Sequence, residues 1–150
     1  MDEPTFQNGY QNDHAELLIT SFETCLCRRL VEPSNAKALY SAPYPILSHN
    51  TADDPVLTYG NLAAQHLWEM SWDDLTTLPS RLTAEPGERA QRDAMFAEMR
   101  DKGFIENYAG IRISATGKRF EIRNAVIWPL RDIEGKKVGE AATFQDYRFL

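Results

Sequence analysis

Cysteine, basic charge and long apolar runs are all scarce in this 150-residue chain, and each scarcity excludes something. The two cysteines, Cys25 and Cys27, stand one residue apart and cannot staple a fold. A reducing cytoplasm is therefore the expected compartment. Lys and Arg number 16 against 22 Asp and Glu, a net charge of -6. That balance argues against bare nucleic acid as a partner, because phosphate recognition needs a basic surface. No apolar run approaches the roughly 18–20 residues of a membrane span, so no membrane association is expected. The opening Met1-Asp2-Glu3-Pro4 is acidic where a leader peptide would be basic. What remains is one ordinary globular domain, 43% hydrophobic and 25% charged.

The acidity is unevenly placed. Residues 1–60 hold eight acidic and three basic side chains, whereas residues 61–150 hold fourteen and thirteen. Residues 1–12 are polar and show no apolar period, which predicts a disordered tail. From Asp13 the pattern turns helical, with Leu18, Phe22, Cys25, Leu26 and Arg29 at helical spacing and a break at Pro33. An N-terminal amphipathic helix is predicted over 13–33, and its apolar face has to be buried on its own domain or on a second copy. Short strands are predicted over 46–49 and 56–59, then a helix over 62–69 capped by Asn61 and another opened by Ser71. Pro86 suits the first turn of a longer helix running to 102, before Gly103. Three strands close the chain over 108–114, 119–131 and 137–147, where the apolar period becomes two. The plan is α+β, with one five-stranded antiparallel sheet.

Three motifs in this order resemble PAS domains. Leu57-Thr58-Tyr59-Gly60-Asn61-Leu62-Ala63-Ala64 looks like the strand-to-helix entry of that fold. Ser71-Trp72-Asp73-Asp74-Leu75 looks like the turn after its first helix, and Pro129-Leu130-Arg131-Asp132-Ile133-Glu134-Gly135 like its later hairpin. A narrower set resembles the MEKHLA domain family: Asp54-Pro55, Trp68, Leu78-Pro79-Ser80-Arg81-Leu82, Tyr108-Ala109-Gly110-Ile111-Arg112 and Gly117-Lys118-Arg119-Phe120. The resemblance implies a PAS-like five-stranded sheet with helices on one face plus the N-terminal helix, the MEKHLA domain covering 36–150. It implies sensing or regulated association, with no established enzyme activity. The family includes small stand-alone bacterial proteins and a domain of plant homeodomain–leucine zipper factors. Homeodomain and zipper are absent from this sequence, so DNA binding is not carried over.

The light-sensing LOV branch of PAS domains aligns without a gap over 57–82. Ser80 falls at the place of its photoreactive cysteine, and Arg81 at its phosphate-contacting arginine. A serine hydroxyl cannot form the flavin adduct. The two asparagines that hold the flavin edge in LOV domains correspond to Arg112 and Ile122, and a glutamine corresponds to Gln145. Two of four polar contacts are thus kept, which leaves flavin binding open.

Seven residues form the candidate pocket: Trp68, Ser80, Arg81, Arg112, Asn124, Trp128 and Gln145. Gln145 on an inward strand position needs a partner, whether a ligand or a neighbouring strand. Asn124 is the odd polar residue of an apolar strand phase, so it meets a ligand or marks a bulge. The tryptophans could wall a pocket or simply pack the core. If Gln145 points inward, Phe144, Ala142, Ile127 and Ala125 face outward beneath the N-terminal helix. His49 and His66 are read as surface or capping residues; the PAS resemblance implies that a haem ligand would come from the later helix, and the predicted helix 86–102 holds no histidine, so haem is not expected. No nucleophile, phosphate loop or convergent carboxylate pair stands out. The leading expectation is a non-enzymatic sensory domain that binds a small molecule and signals through a homodimer or partner protein. Two alternatives stay open: a ligand-free interaction module, and a small enzyme on a cone-shaped α+β scaffold. A buried, perturbed carboxylate in a cavity would favour the enzyme.

Overall fold

The computed structural model describes residues 1–85 and 103–150, with Ala94, Met95, Ala97 and Met99 between them. The predicted helix over 86–102 lies largely outside the described residues, although Met99 is buried in the core. Six strands form one antiparallel sheet: β1 (Ile46–His49), β2 (Leu57–Gly60), β3 (Ile105–Ile113), β4 (Arg119–Arg131), β5 (Lys137–Thr143) and β6 (Asp146–Phe149). Their order is β2-β1-β5-β4-β3, and β6 lies alongside β4. The predicted strand over 137–147 is therefore two strands. β5 pairs with Val126–Arg131 of β4 and β6 with Phe120–Arg123, leaving Asn124 and Ala125 outside both ladders.

That interruption is caused by a bulge. Asn124 has φ 53, in the left-handed region where Asn is among the few tolerated side chains. The extra residue shifts the strand's phase. Phe120, Ile122, Ala125 and Ile127 lie in one core cluster, while Val126, Trp128 and Leu130 lie in the other. Strict alternation along 119–131 does not hold, and Trp128 moves to the opposite face of the sheet from Phe120.

Helix α1 (Asn12–Leu26) covers the second face. Ala15, Leu18, Ile19 and Phe22 form its buried stripe at helical spacing. The Phe22 ring meets Trp128 edge-on at 4.9 Å, and the Trp128 indole N–H donates to the Leu18 carbonyl at 3.3 Å. The stripe predicted over 13–33 stops at Leu26, where Cys27 turns left-handed (φ 56) and its N–H caps the Glu23 carbonyl. Leu30 and Val31 are still buried, as connection rather than helix. Residues beneath α1 are Val126, Trp128, Leu130 and Ala141, so the expected outward set of Phe144, Ala142, Ile127 and Ala125 is corrected.

Of residues 1–12, predicted to be disordered, Asn12 opens α1 and the preceding residues are bonded to the domain through polar groups. The Trp72 indole donates to the Met1 carbonyl (3.0 Å), and the Tyr40 hydroxyl to a Glu3 carboxylate oxygen (2.8 Å). The Gln11 amide donates to the Asp2 carbonyl, and Pro4 is buried. Hydrogen bonds of this kind leave no apolar period in a sequence.

The other face carries α3 (Leu62–Trp68), while α2 (Ala36–Ser41) packs with α1. Helix α4 (Trp72–Leu75) packs beside β2, where a Cβ on Gly60 would fall 2.0 Å from a Leu75 methyl carbon. Asn61 is fully buried and ties three elements together. Its carbonyl oxygen accepts from Ile46 N and Ala64 N, and its amide donates to Leu39 O and Tyr44 O. The side chain is both the cap of α3 and the joint between α2 and β1.

Candidate functional site

Between the sheet and α3 lies a cavity of about 60 Å³. Its apolar wall comes from Leu47, Leu57, Trp68, Ile122, Ile127 and Phe144, and the small Ala125 and Ala142 leave the space open. Its polar wall comes from four places: Ser80 after β2, Tyr108 and Arg112 on β3, His49 on β1 and Glu140 on β5. The bulge at Asn124 is what aims Ala125 and Ile127 into this space.

Arg112 is 6% exposed. It donates from Nη2 to the Tyr108 hydroxyl and from Nη1 to the Ile111 carbonyl, both at 2.9 Å. Its guanidinium carbon sits 5.4 Å from the centre of the Tyr108 ring. Residues 108, 110 and 112 share one strand face, so Gly110 stands between the two partners. A Cβ there would lie 2.8 Å from the Tyr108 hydroxyl and 3.0 Å from Arg112 Nη1. The pair forms because position 110 carries no side chain.

Across the cavity, β1 and β5 run antiparallel with His49 opposite Glu140. A Glu140 carboxylate oxygen lies 3.4 Å from His49 Nε2, and the other is held by Lys137. Burial alone would raise the Glu140 pKa, but the bonds from His49 and Lys137 hold it below the usual carboxylate range. It is a buried, perturbed carboxylate, yet the perturbation makes it a weaker base. General-base catalysis calls for a pKa raised towards the working pH. Among the described residues no group of three His, Cys, Asp or Glu could hold a metal ion.

Of the seven predicted site residues, Trp68, Ser80 and Arg112 line the cavity together. Four do not. Arg81 points to the surface and pairs with Asp54 at 3.1 Å. Trp128 packs under α1 on the far side of the sheet. Asn124 is exposed on its bulge, where its amide reaches Asp146 at 3.4 Å. Gln145 is exposed and lines, with Asn124, an open groove beside Arg28 and Tyr44. Of the two, Asn124 takes the bulge role, and the inward placement of Gln145 is corrected. His49 and Glu140 were missed. His49 ends a short strand beside turn residues and resembles a surface histidine. Glu140 shares the phase of Ala142, which the inward reading of Gln145 set outward, so its place in the cavity wall followed only once that phase was corrected. His66 is exposed.

Flavin does not fit this chain as it is folded. Arg81 and Gln145 lie outside the cavity, and Arg112 and Ile122 replace two asparagines. A dry cavity of about 150 Å³ takes a single benzene ring; the space of about 60 Å³ here is far short of a fused three-ring system.

Comparisons with known proteins agree with this geometry. Many solved structures share the fold, these three among them. The PAS domain of a protein from Colwellia psychrerythraea matches with TM-score 0.65 and 15% identity over 77% of this chain and 92% of that one. A light-oxygen-voltage domain studied with a flavin analogue matches with TM-score 0.61 and 16% identity over 77% and 83%. An RNA-binding light-oxygen-voltage receptor matches with TM-score 0.59 and 20% identity over 73% of this chain and 31% of the receptor. No curated protein is significantly similar in sequence. The MEKHLA domain family matches residues 12–149, which takes in α1 as well as the sheet and places this chain in the MEKHLA domain family, built on a PAS fold.

Proposed function

We propose that this PAS-like sensory domain binds a small molecule in the cavity between its sheet and α3, and that α1 reports occupancy to a partner chain. One observation carries the reading: a buried guanidinium and a buried carboxylate face a shared space in the core. Charged groups are costly to bury, and a core packed for stability alone would use apolar side chains there. The path to α1 is short. Leu47 and His49 of β1 line the cavity, while Ser48 between them bonds the His14 ring of α1 at 3.0 Å. On β5, Ala141 and Ala142 both border the cavity, and Ala141 also belongs to the core cluster beneath α1. Any shift of these strands is felt on both faces. The output is association rather than catalysis, in a homodimer or with another protein, in the cytoplasm.

Native mass spectrometry and an absorption spectrum of the purified protein test the first half. A stoichiometric small molecule, released on denaturation, is the expected result. A protein of bare chain mass that self-associates would instead support the ligand-free interaction module, the reading favoured by the cavity's small volume.

A further inference from the structure

Among the described residues, Arg112 is a buried cation without a counter-ion. No carboxylate lies within 4.0 Å of it among the described residues, and Glu140, the acidic group in the same wall, is committed to Lys137 and His49. A guanidinium has five N–H donors. The bonds to Tyr108 and Ile111 take one from each terminal nitrogen. A charge held at 6% exposure destabilises the fold unless something neutralises it. Tyr108 and the cleared position at Gly110 fix the guanidinium in place without quenching its charge.

Building on the small-molecule reading above, we propose that the cavity takes a small monocarboxylate, its carboxylate paired with Arg112 and its short tail against Leu47, Ile122, Ile127 and Phe144. The planar fork of arginine is the group best matched to a carboxylate. The space of about 60 Å³ sets the size. By comparison with six ring carbons in a benzene-sized cavity, it admits about two to three heavy atoms, which is formate and, at the limit, acetate. The apolar wall disfavours a second charge on the tail, so dicarboxylates are excluded. Phosphate, strongly hydrated and with five heavy atoms, is too large for the space.

Methyl-labelled protein titrated with acetate, acetamide and inorganic phosphate at constant ionic strength tests this. Saturable shifts of the Ile122 and Ile127 methyls are expected with acetate, and acetamide binds at least tenfold more weakly. Arg112→Met loses that preference while melting no lower than the parent, since the variant removes a buried charge with no carboxylate partner among the described residues. If that variant fails to fold, Gly110→Ala gives the same information. Its methyl displaces the Tyr108–Arg112 pair, keeps the charge, and weakens acetate at least fivefold. Equal binding of acetate and acetamide, or of acetate and phosphate, overturns the carboxylate inference. So does a preference that survives both substitutions. If the probes fail but another molecule is found in the cavity, the carboxylate inference falls and the sensory reading stands. If the cavity takes nothing, both fall.

Discussion

Replacing Asn61 with Ala removes four hydrogen bonds at one point in the core. Ile46 N and Ala64 N lose an acceptor, and Leu39 O and Tyr44 O lose a donor, in a residue with no solvent exposure. A net contribution of about 1 kcal/mol per bond gives a loss of about 4 kcal/mol. The helix cap alone accounts for roughly 1 kcal/mol of that. Total stability of a domain this size is about 5–15 kcal/mol, so the variant should fold but melt about 12 °C lower. Asn61→Asp separates the two halves of the side chain. It keeps both acceptors for Ile46 and Ala64, but sets a carboxylate oxygen against the carbonyls of Leu39 and Tyr44. Burial then opposes its charge, and the Asp variant should be no more stable than the Ala variant at neutral pH and should recover partly on acidification. Urea denaturation followed by tryptophan fluorescence, run at pH 7 and pH 5, measures all three proteins. A loss under about 1 kcal/mol for Asn61→Ala would refute the reasoning, because the four bonds would then be replaceable by water.

Asn124→Gly should be neutral within about 0.5 kcal/mol, because glycine accepts φ 53 freely, whereas Asn124→Val should cost about 1–2 kcal/mol in the same urea assay. A β-branched residue tolerated there would mean the phase shift of β4 is set elsewhere. His14 has its pKa lowered from 6.5 to about 4 by burial beneath Tyr59 and Ser48. The folded protein therefore takes up this proton later than the unfolded chain does. Stability is complete above pH 6.5 and falls as the pH drops towards 4, by about 3 kcal/mol over the window. His14→Gln should flatten that slope; an unchanged pH profile would remove His14 from the account.

Much of the architecture was legible because it follows from local chemistry. Asn61, Ser71 and the close-packed Gly60 announce α3 and α4, and the period of two announces the last strands. Failures came where a single residue changes the period or where partners are distant in sequence. Asn124 inverts the phase of β4, and with it the faces of Trp128, Ala125 and Ile127. A polar residue in an apolar phase pointed to that bulge, but the phase shift it imposes follows only from the backbone. The pocket was half legible. Tyr108, Gly110 and Arg112 sit within one strand and form a unit by spacing alone. The pairing of His49 with Glu140 depends on the register of β1 against β5, which no local pattern encodes. Residues 1–11 escaped for a related reason, since their ties are hydrogen bonds to Trp72 and Tyr40 far along the chain.

The sensory proposal requires the state of the cavity to reach α1 on the opposite face of the sheet. Amide hydrogen exchange of Ala15, Leu18, Ile19 and Phe22 measures this, comparing protein as purified with protein refolded free of small molecules. Removal of the bound molecule should change their protection at least tenfold, alongside amides of β1 and β5. Unchanged protection in α1, with changes confined to the cavity wall, would overturn the proposal.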